Sequence, residues 1–131
     1  MNSIRLIIAG SRDFNDYELL EKEVDSFILR VQEKLGYGIP VEIVSGGAKG
    51  ADRLGERYAK DRGLPVKIFF ANWDLGRGAG YIRNEEMAKY ASDCVVFILD
   101  SSKGSTHMAN LAKKYNLGLK VINLWVLVEM I

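Results

Sequence analysis

The chain has 131 residues, of which 48% are hydrophobic and 27% charged, the balance of an ordinary globular domain rather than a disordered chain. Its 18 Lys and Arg offset 17 Asp and Glu for a formal charge of +1, so no global basic field collects nucleic acid, and nucleic-acid binding is not expected. The single cysteine, Cys94, lies in the apolar run 94–99 and reads as a core thiol of a reducing compartment. No secretory h-region opens the chain, and the longest apolar stretch, Leu124 to Ile131, is broken by Glu129 and too short to span a bilayer. A cytoplasmic protein without membrane contact is expected.

Taken in order, short β-rich runs alternate with helical patterns. The first strand, Ile4 to Ala9, ends at Gly10-Ser11-Arg12-Asp13-Phe14. A helix fits Asp16 to about Leu35, with Leu19, Leu20, Val24, Phe27, Ile28 and Val31 on one stripe at steps of three and four. Gly36 and Gly38 stop it and Pro40 precedes the second strand, Val41 to Val44. That strand runs into Ser45-Gly46-Gly47-Ala48-Lys49-Gly50-Ala51-Asp52, and the next helix ends at Gly63. The third strand is Val66 to Phe70. A loop from Ala71 to Gly80 follows, its glycines Gly76, Gly78 and Gly80 marking a candidate lid, and then a helix from about Tyr81 to Tyr90. The fourth strand is Cys94 to Leu99, the fourth helix passes through Met108, Leu111, Ala112 and Tyr115, and Leu119 to Leu124 is a fifth strand.

Strands one, two and four are nearly continuous apolar runs, the pattern of parallel strands covered on both faces. The expected fold is therefore α/β: a single Rossmann-like three-layer domain spanning 1–131, with an open, mainly parallel five-stranded sheet and helices on both faces. In such a sheet ligands bind beyond the carboxyl ends of the strands, where strand order reverses. Every unusual loop of this chain follows a strand, so all of them fall on that edge.

The glycine-rich segment 45–52 carries the sharpest signal. Gly46, Gly47 and Gly50 between a strand and a helix bring backbone N–H groups, including that of Ala48, close to an anion, and the helix dipole adds to the effect. The segment is neither a Walker A loop nor a dinucleotide fingerprint. Asp52 caps the helix or accepts from a ribose hydroxyl. After strand one, Arg12 is suited to fork onto a phosphate, while Phe14 either stacks on a base or staples the following helix. Trp73 likewise packs or stacks. Arg83, beside Asn84 in the first turn expected for the third helix, opposes the macrodipole and wants an anion, which Glu85, Glu86 or a ligand phosphate can supply. After strand four, Asp100 to Thr106 form a second polar helix N-terminus, where Ser105 or Thr106 caps the helix or holds phosphate beside Gly104. The sole histidine, His107, has no partner at metal-ligand spacing, and neither a metal site nor a cofactor is expected.

Together, the segments 10–14, 45–52, Ala71-Asn72-Trp73-Asp74 and Gly80-Tyr81-Ile82-Arg83-Asn84-Glu85-Glu86-Met87 resemble the YspA-like branch of the SLOG superfamily, in order and over nearly the whole chain. The resemblance implies a Rossmann-like domain that binds nucleotides or their derivatives. The superfamily also holds Smf/DprA and the Lonely Guy phosphoribohydrolases. Its usual Gly-Gly-x-Gly-Thr turn is replaced here by Ser101-Ser102-Lys103-Gly104-Ser105. The glutamate that follows this turn in the phosphoribohydrolases has no counterpart at Met108 or Ala109, although Arg83 resembles their arginine.

The expectation is a binding domain for a nucleotide-derived small molecule. Gly10, Ser11, Arg12, Phe14, Ser45, Gly46, Gly47, Ala48, Gly50 and Asp52 would contact it from the first half. Trp73, Arg83, Asn84, Asp100, Gly104, Ser105 and Thr106 would contact it from the second. The alternative is an N-glycosidic hydrolase, with Arg83 and one of Asp74, Glu85 or Glu86 as catalytic groups. Single-stranded DNA binding is a weaker third reading. The apolar run Asn123 to Ile131 suits a subunit contact, so a homodimer or higher oligomer is expected.

Overall fold

The structure, a computed structural model, describes residues 3–100 and 102–125. Its strands are β1 (Ile4–Gly10), β2 (Val41–Ser45), β3 (Val66–Ile68), β4 (Asp93–Leu99) and β5 (Gly118–Leu124). They alternate with helices α1 (Tyr17–Leu35), α2 (Ala51–Arg62), α3 (Ala79–Tyr90) and α4 (Lys103–Lys114). The strands form one sheet in the order β3-β2-β1-β4-β5. Every pairing is parallel: Ile4 lies beside Val41 and Leu6 beside Asp93 across the two flanks of β1. The sheet is thus wholly rather than mainly parallel.

Alternation along the strands divides the core into two layers. Ile4, Leu6, Ile8, Val95 and Phe97 face α1 and α2, meeting Leu20, Val24, Phe27 and Tyr58. Ile7, Val44, Cys94, Val96 and Ile98 face α3 and α4, meeting Met87, Met108 and Leu111. Each such side chain, fully removed from water, contributes about 1.5–3 kcal/mol before the entropy cost of ordering it. Only strands covered on both faces need apolar residues at consecutive positions, which explains the runs 6–9 of β1 and 94–99 of β4.

Helix ends follow local chemistry. Asp16 caps α1, its carboxylate accepting from the Leu19 N–H at 3.1 Å, and Gly63 closes α2 in a left-handed conformation. β3 is shorter than the apolar run 66–70 implies. Phe69 still donates its N–H to the Ser45 carbonyl, but Phe70 turns out to solvent at the sheet edge, 77% exposed. The expected loop 71–80 is largely folded: Trp73–Leu75 form a 3-10 turn capped by Asn72, and α3 starts at Ala79.

The crossovers through α1 and α2 carry the chain outward from β1 over one face. The α3 crossover then returns it to the other side of β1 over the opposite face. β1 and β4 are therefore neighbours whose following loops diverge, opening a crevice at their carboxyl ends. No described helix is long and apolar enough to cross a membrane. The apolar run expected to form a subunit contact lies, from residue 126 onward, outside the described residues; Trp125 before it is 64% exposed.

Candidate functional site

A cleft of about 570 Å³ occupies this crevice between β1 and β4, within the size range of small-molecule sites. Gly10, Ser11, Arg12 and Asp13 line it from the end of β1, and Ala48 and Asp52 from the turn into α2. Trp73 and Arg77 contribute from the segment before α3, and Gly80, Tyr81, Arg83, Asn84 and Met87 from α3 itself. Leu99, Asp100, Ser102, Gly104, Ser105 and Met108 close it from the β4–α4 side.

A serine cluster stitches the two diverging loops together. Ser11, only 6% exposed, accepts the Leu99 N–H at 2.8 Å and lies 3.4 Å from the Ser105 hydroxyl. Ser105 in turn meets the Ser102 hydroxyl at 3.0 Å, and Ser102 caps α4. The N-terminal turn of α4 is thereby held against the end of β1, with Gly104 on the cleft wall and no atom near where a Cβ would stand. Asp100 adopts a positive φ of 51° and donates its N–H to the Leu124 carbonyl, which turns the chain from β4 toward α4.

The glycine-rich turn behaves differently from the phosphate cradle expected of it. The Asp52 carboxylate, 6% exposed in the first turn of α2, folds back and accepts the Ala48 N–H at 3.2 Å, with the Gly46 amide close enough to pull its pKa down. The Gly47 N–H goes to the Ser45 hydroxyl, which donates to Glu56 at 2.7 Å. The amides therefore hold an internal anion, and Ser45, Gly46, Gly47 and Gly50 do not line the cleft. The glycines serve close approach instead. Gly50, at φ 77°, abuts the backbone of the β1 loop, where a Cβ would fall 2.3 Å from the Ser11 carbonyl oxygen. At Gly46 a Cβ would fall 2.8 Å from the Asp52 carboxylate and 3.1 Å from the Arg83 guanidinium carbon.

Arg83 reaches across from α3 and donates to the Gly46 carbonyl at 2.7 Å through Nη1, and through Nε to the Asn84 side-chain oxygen at 3.2 Å. Asn84 then presents its Nδ2 to His107 Nδ1 at 3.3 Å. Since Asn84 Oδ1 is taken by an arginine donor, its amide group faces His107, and that ring nitrogen must accept. Burial lowers the Arg83 pKa; the Asp52 charge opposes the shift, and the Arg12 charge adds to it. Burial likewise pushes the Asp52 carboxyl up to about 6, against the pull of the loop amides and Arg83. Three guanidiniums, of Arg12, Arg77 and Arg83, thus share the crevice with the carboxyls of Asp13, Asp52 and Asp100, of which that of Asp52 is costly to ionise.

Several residues expected at the site lie elsewhere. Phe14 is 3% exposed and stacks on Phe97 with ring centroids 4.8 Å apart, so it belongs to the core under α1 and α2 and offers no face to a base. Thr106 points away from the cleft; its hydroxyl donates to the Ser102 carbonyl, and its side chain borders an adjoining groove. The three carboxylates expected for hydrolysis are outside the cleft. Glu85 pairs with Lys89 at 3.6 Å, while Glu86 and Asp74 are exposed. The carboxylates in the cleft are those of Asp13, Asp52 and Asp100.

Ala9, Asp13, Arg77, Gly80, Tyr81, Met87, Leu99, Ser102 and Met108 also line the cleft, although the sequence does not single them out as ligand contacts. Periodicity held the signal for part of this set: Gly80, Arg83, Asn84 and Met87 stand at steps of three and four and so share one face of α3. Among the described residues no group of three or more His, Cys, Asp or Glu could hold a metal ion.

Comparison with known proteins places this geometry in a family. Over most of its length the chain is similar to the Gene 61 protein of Mycobacterium phage D29, at 34% identity across 130 residues covering 91% of this chain and 94% of that protein. A family model described as YspA, cpYpsA-related SLOG family matches residues 4–76, from β1 through the 3-10 turn that carries Trp73. The chain belongs to the YspA, cpYpsA-related SLOG family.

Proposed function

We propose that the protein binds a phosphate-bearing nucleotide or nucleotide-derived ligand in the β1–β4 cleft and acts as a sensor or sequestering domain for it. One observation carries this reading: Arg12 and Arg83 face the same crevice closely enough for one charge to depress the pKa of the other. Guanidiniums converging on one crevice suit a bound phosphate, although Asp13, Asp52 and Asp100 line the same space. The N-terminal turn of α4 adds favourable potential on the opposite wall. Trp73, 59% exposed and on the cleft wall, offers a ring face for a base. Family membership supports nucleotide-derived ligands as the class.

A second reading, N-glycosidic hydrolysis of a nucleoside phosphate, is favoured by the carboxyl of Asp52. It lines the cleft beside Arg83 and changes charge near pH 6, the range suited to general acid–base work. Oligomer formation through the apolar C-terminal run is a separate proposal, and a monomer in sedimentation at micromolar concentration would refute it.

The test is thermal unfolding against a panel of nucleoside phosphates, cyclic dinucleotides and ADP-ribose derivatives, each mixture then assayed for free base. Ligand at 100 times its Kd should add about 2.7 kcal/mol of stability. Stabilisation with the ligand intact supports a binder, whereas released base that disappears in Asp52→Asn supports the hydrolase. No stabilisation by any phosphate-bearing nucleotide sinks both.

A further inference from the structure

The first turns of α4 carry Lys103, Thr106, His107 and Asn110 at steps of three and four, so an ammonium, a hydroxyl, an imidazole and an amide share one helix face. Across from them stands Tyr81 of α3, its ring meeting the His107 ring edge-on at 4.4 Å and 70°. These five residues line a groove of about 650 Å³. Tyr81 also lines the β1–β4 cleft, so groove and cleft share a wall.

The two spaces are joined by chemistry as well. Arg83, in the cleft, bonds Asn84, and Asn84 bonds His107, which borders the groove. A ligand anion held at Arg83 therefore sits one side chain away from the groove. The polar groups facing the groove are of the kind that read a sugar and a heterocycle: the Asn110 amide can donate and accept, the Thr106 oxygen can still accept, and Tyr81 and His107 offer ring surface. Lys103 makes no salt bridge among the described residues and adds a cation at the groove edge.

From this arrangement, and resting on the reading of the cleft as a nucleotide site, we infer that the groove is a second subsite. The ligand class is then a compound with two nucleoside-like rings bridged by phosphate. One ring lies in the cleft with Trp73, the bridging phosphate at Arg12 and Arg83, and the second ring over the packed Tyr81–His107 pair, against the Thr106 and Asn110 side of the groove. A mononucleotide would fill only the first part.

The experiment measures affinities of the intact chain for the common ribonucleoside 5′-monophosphates, the matching 5′-phosphorylated dinucleotides, and P1,P2-dinucleoside diphosphates, by calorimetry. Each is repeated with Asn110→Trp, which fills the exposed groove, and with the milder Asn110→Ala. The expected result is that at least one bridged two-ring compound binds about tenfold or more tightly than its mononucleotide. That gain should be lost in Asn110→Trp and reduced in Asn110→Ala, while mononucleotide affinity stays within twofold. Two-ring compounds binding no better than mononucleotides would overturn the second subsite and leave the cleft reading standing. A gain that survives Asn110→Trp would also overturn it, because the second ring would lie elsewhere. Longer single strands binding tighter still, with steep salt dependence, would replace it with a nucleic-acid tract. No binding by either class would overturn the cleft reading and the subsite together.

Discussion

The Asp52 carboxylate accepts the backbone N–H of Ala48 at 3.2 Å, so the glycine-rich turn of this chain carries its own anion. A strand–glycine–helix segment is a frequent phosphate cradle because its amides converge on one point. Here the helix that follows supplies the negative charge for that point from its own first turn. On the proposed reading, the phosphate end of a ligand would lie instead toward Arg12, Arg83 and the start of α4, where strand order reverses.

This arrangement makes stability depend on pH in a defined direction. The folded-state pKa of Asp52 is raised from 3.8 to about 6, so the folded state binds the extra proton between those values. Its stabilising contribution is complete below pH 4 and is lost as pH rises through 6. The whole effect is on the order of 3 kcal/mol at most. Urea unfolding of wild type and Asp52→Asn at pH 4, 5, 6 and 7 checks it. The stability of wild type relative to the variant should decline steadily with rising pH, and a constant difference would contradict the account.

The His107–Asn84–Arg83 chain predicts a tautomer. With Asn84 donating to Nδ1, the His107 proton at neutral pH resides on Nε2. Burial lowers the His107 pKa, with Glu85 opposing the shift; Tyr81 and Lys103 face the same groove. A group depressed in this way supports the fold above its unfolded-state pKa and loses that support as pH falls through its folded-state value. Long-range imidazole proton–nitrogen spectra should show the Nε2–H form and a titration midpoint below the ordinary histidine value of 6.5. Asn84→Asp should raise that midpoint. An Nδ1–H tautomer would break the chain.

Two glycine substitutions should separate strain from tolerance. Gly50→Ala places a methyl group against the Ser11 and Arg12 carbonyls at a positive φ, a combination costing about 1–3 kcal/mol for the backbone conformation alone. Gly104→Ala meets no atom within 4 Å and, in the first turn of α4, should leave stability unchanged or slightly raised. Thermal unfolding of both variants reads the difference directly.

Phe14→Ala should lower stability by about 3–5 kcal/mol, as for other buried aromatics, because its ring stacks on Phe97 within the core. At a temperature where the variant remains folded, its ligand affinity should match wild type. A selective loss of affinity would put Phe14 back at the site.

Much of the fold was legible because the physics that shapes it is local. The nearly continuous apolar runs of β1, β2 and β4 announce a sheet covered on both faces, and the stripe from Leu19 to Val31 announces α1. The edge containing the site followed from the loops that trail each strand. What escaped was decided by contacts distant in sequence or by side chains turning back on their own loop. Phe14 reads equally as a stacking ring until Phe97 is beside it. Asp52 reads as a cap or a ribose partner, and nothing in its neighbours' identity shows that it will take the amide of Ala48. Glu85 and Glu86 follow Arg83 by two and three positions, but at about 100° of rotation per residue both fall on the order of 110° or more from the centre of the cleft face of α3. Gly80, Asn84 and Met87 share the cleft face with Arg83 instead.

The charge pair at the centre of the account is open to substitution. Arg83→Lys keeps a positive charge but loses the planar fork that bonds Gly46 and Asn84 together. Affinity for a stabilising nucleotide should fall about tenfold or more in Arg83→Lys and in Arg12→Ala, with thermal stability of the free protein little changed in Arg12→Ala.

The most direct test is a backbone amide titration by NMR with the nucleotide that stabilises the protein. The expected result is that the amides of Ser11, Arg12, Gly104 and Ser105 shift with ligand concentration, while those of Gly46 and Gly47 stay in place in the turn that Ser45 and Asp52 close. Large shifts at Gly46 and Gly47, with the α4 start unmoved, would mean that the glycine-rich turn releases Asp52 to take the phosphate, and would contradict it.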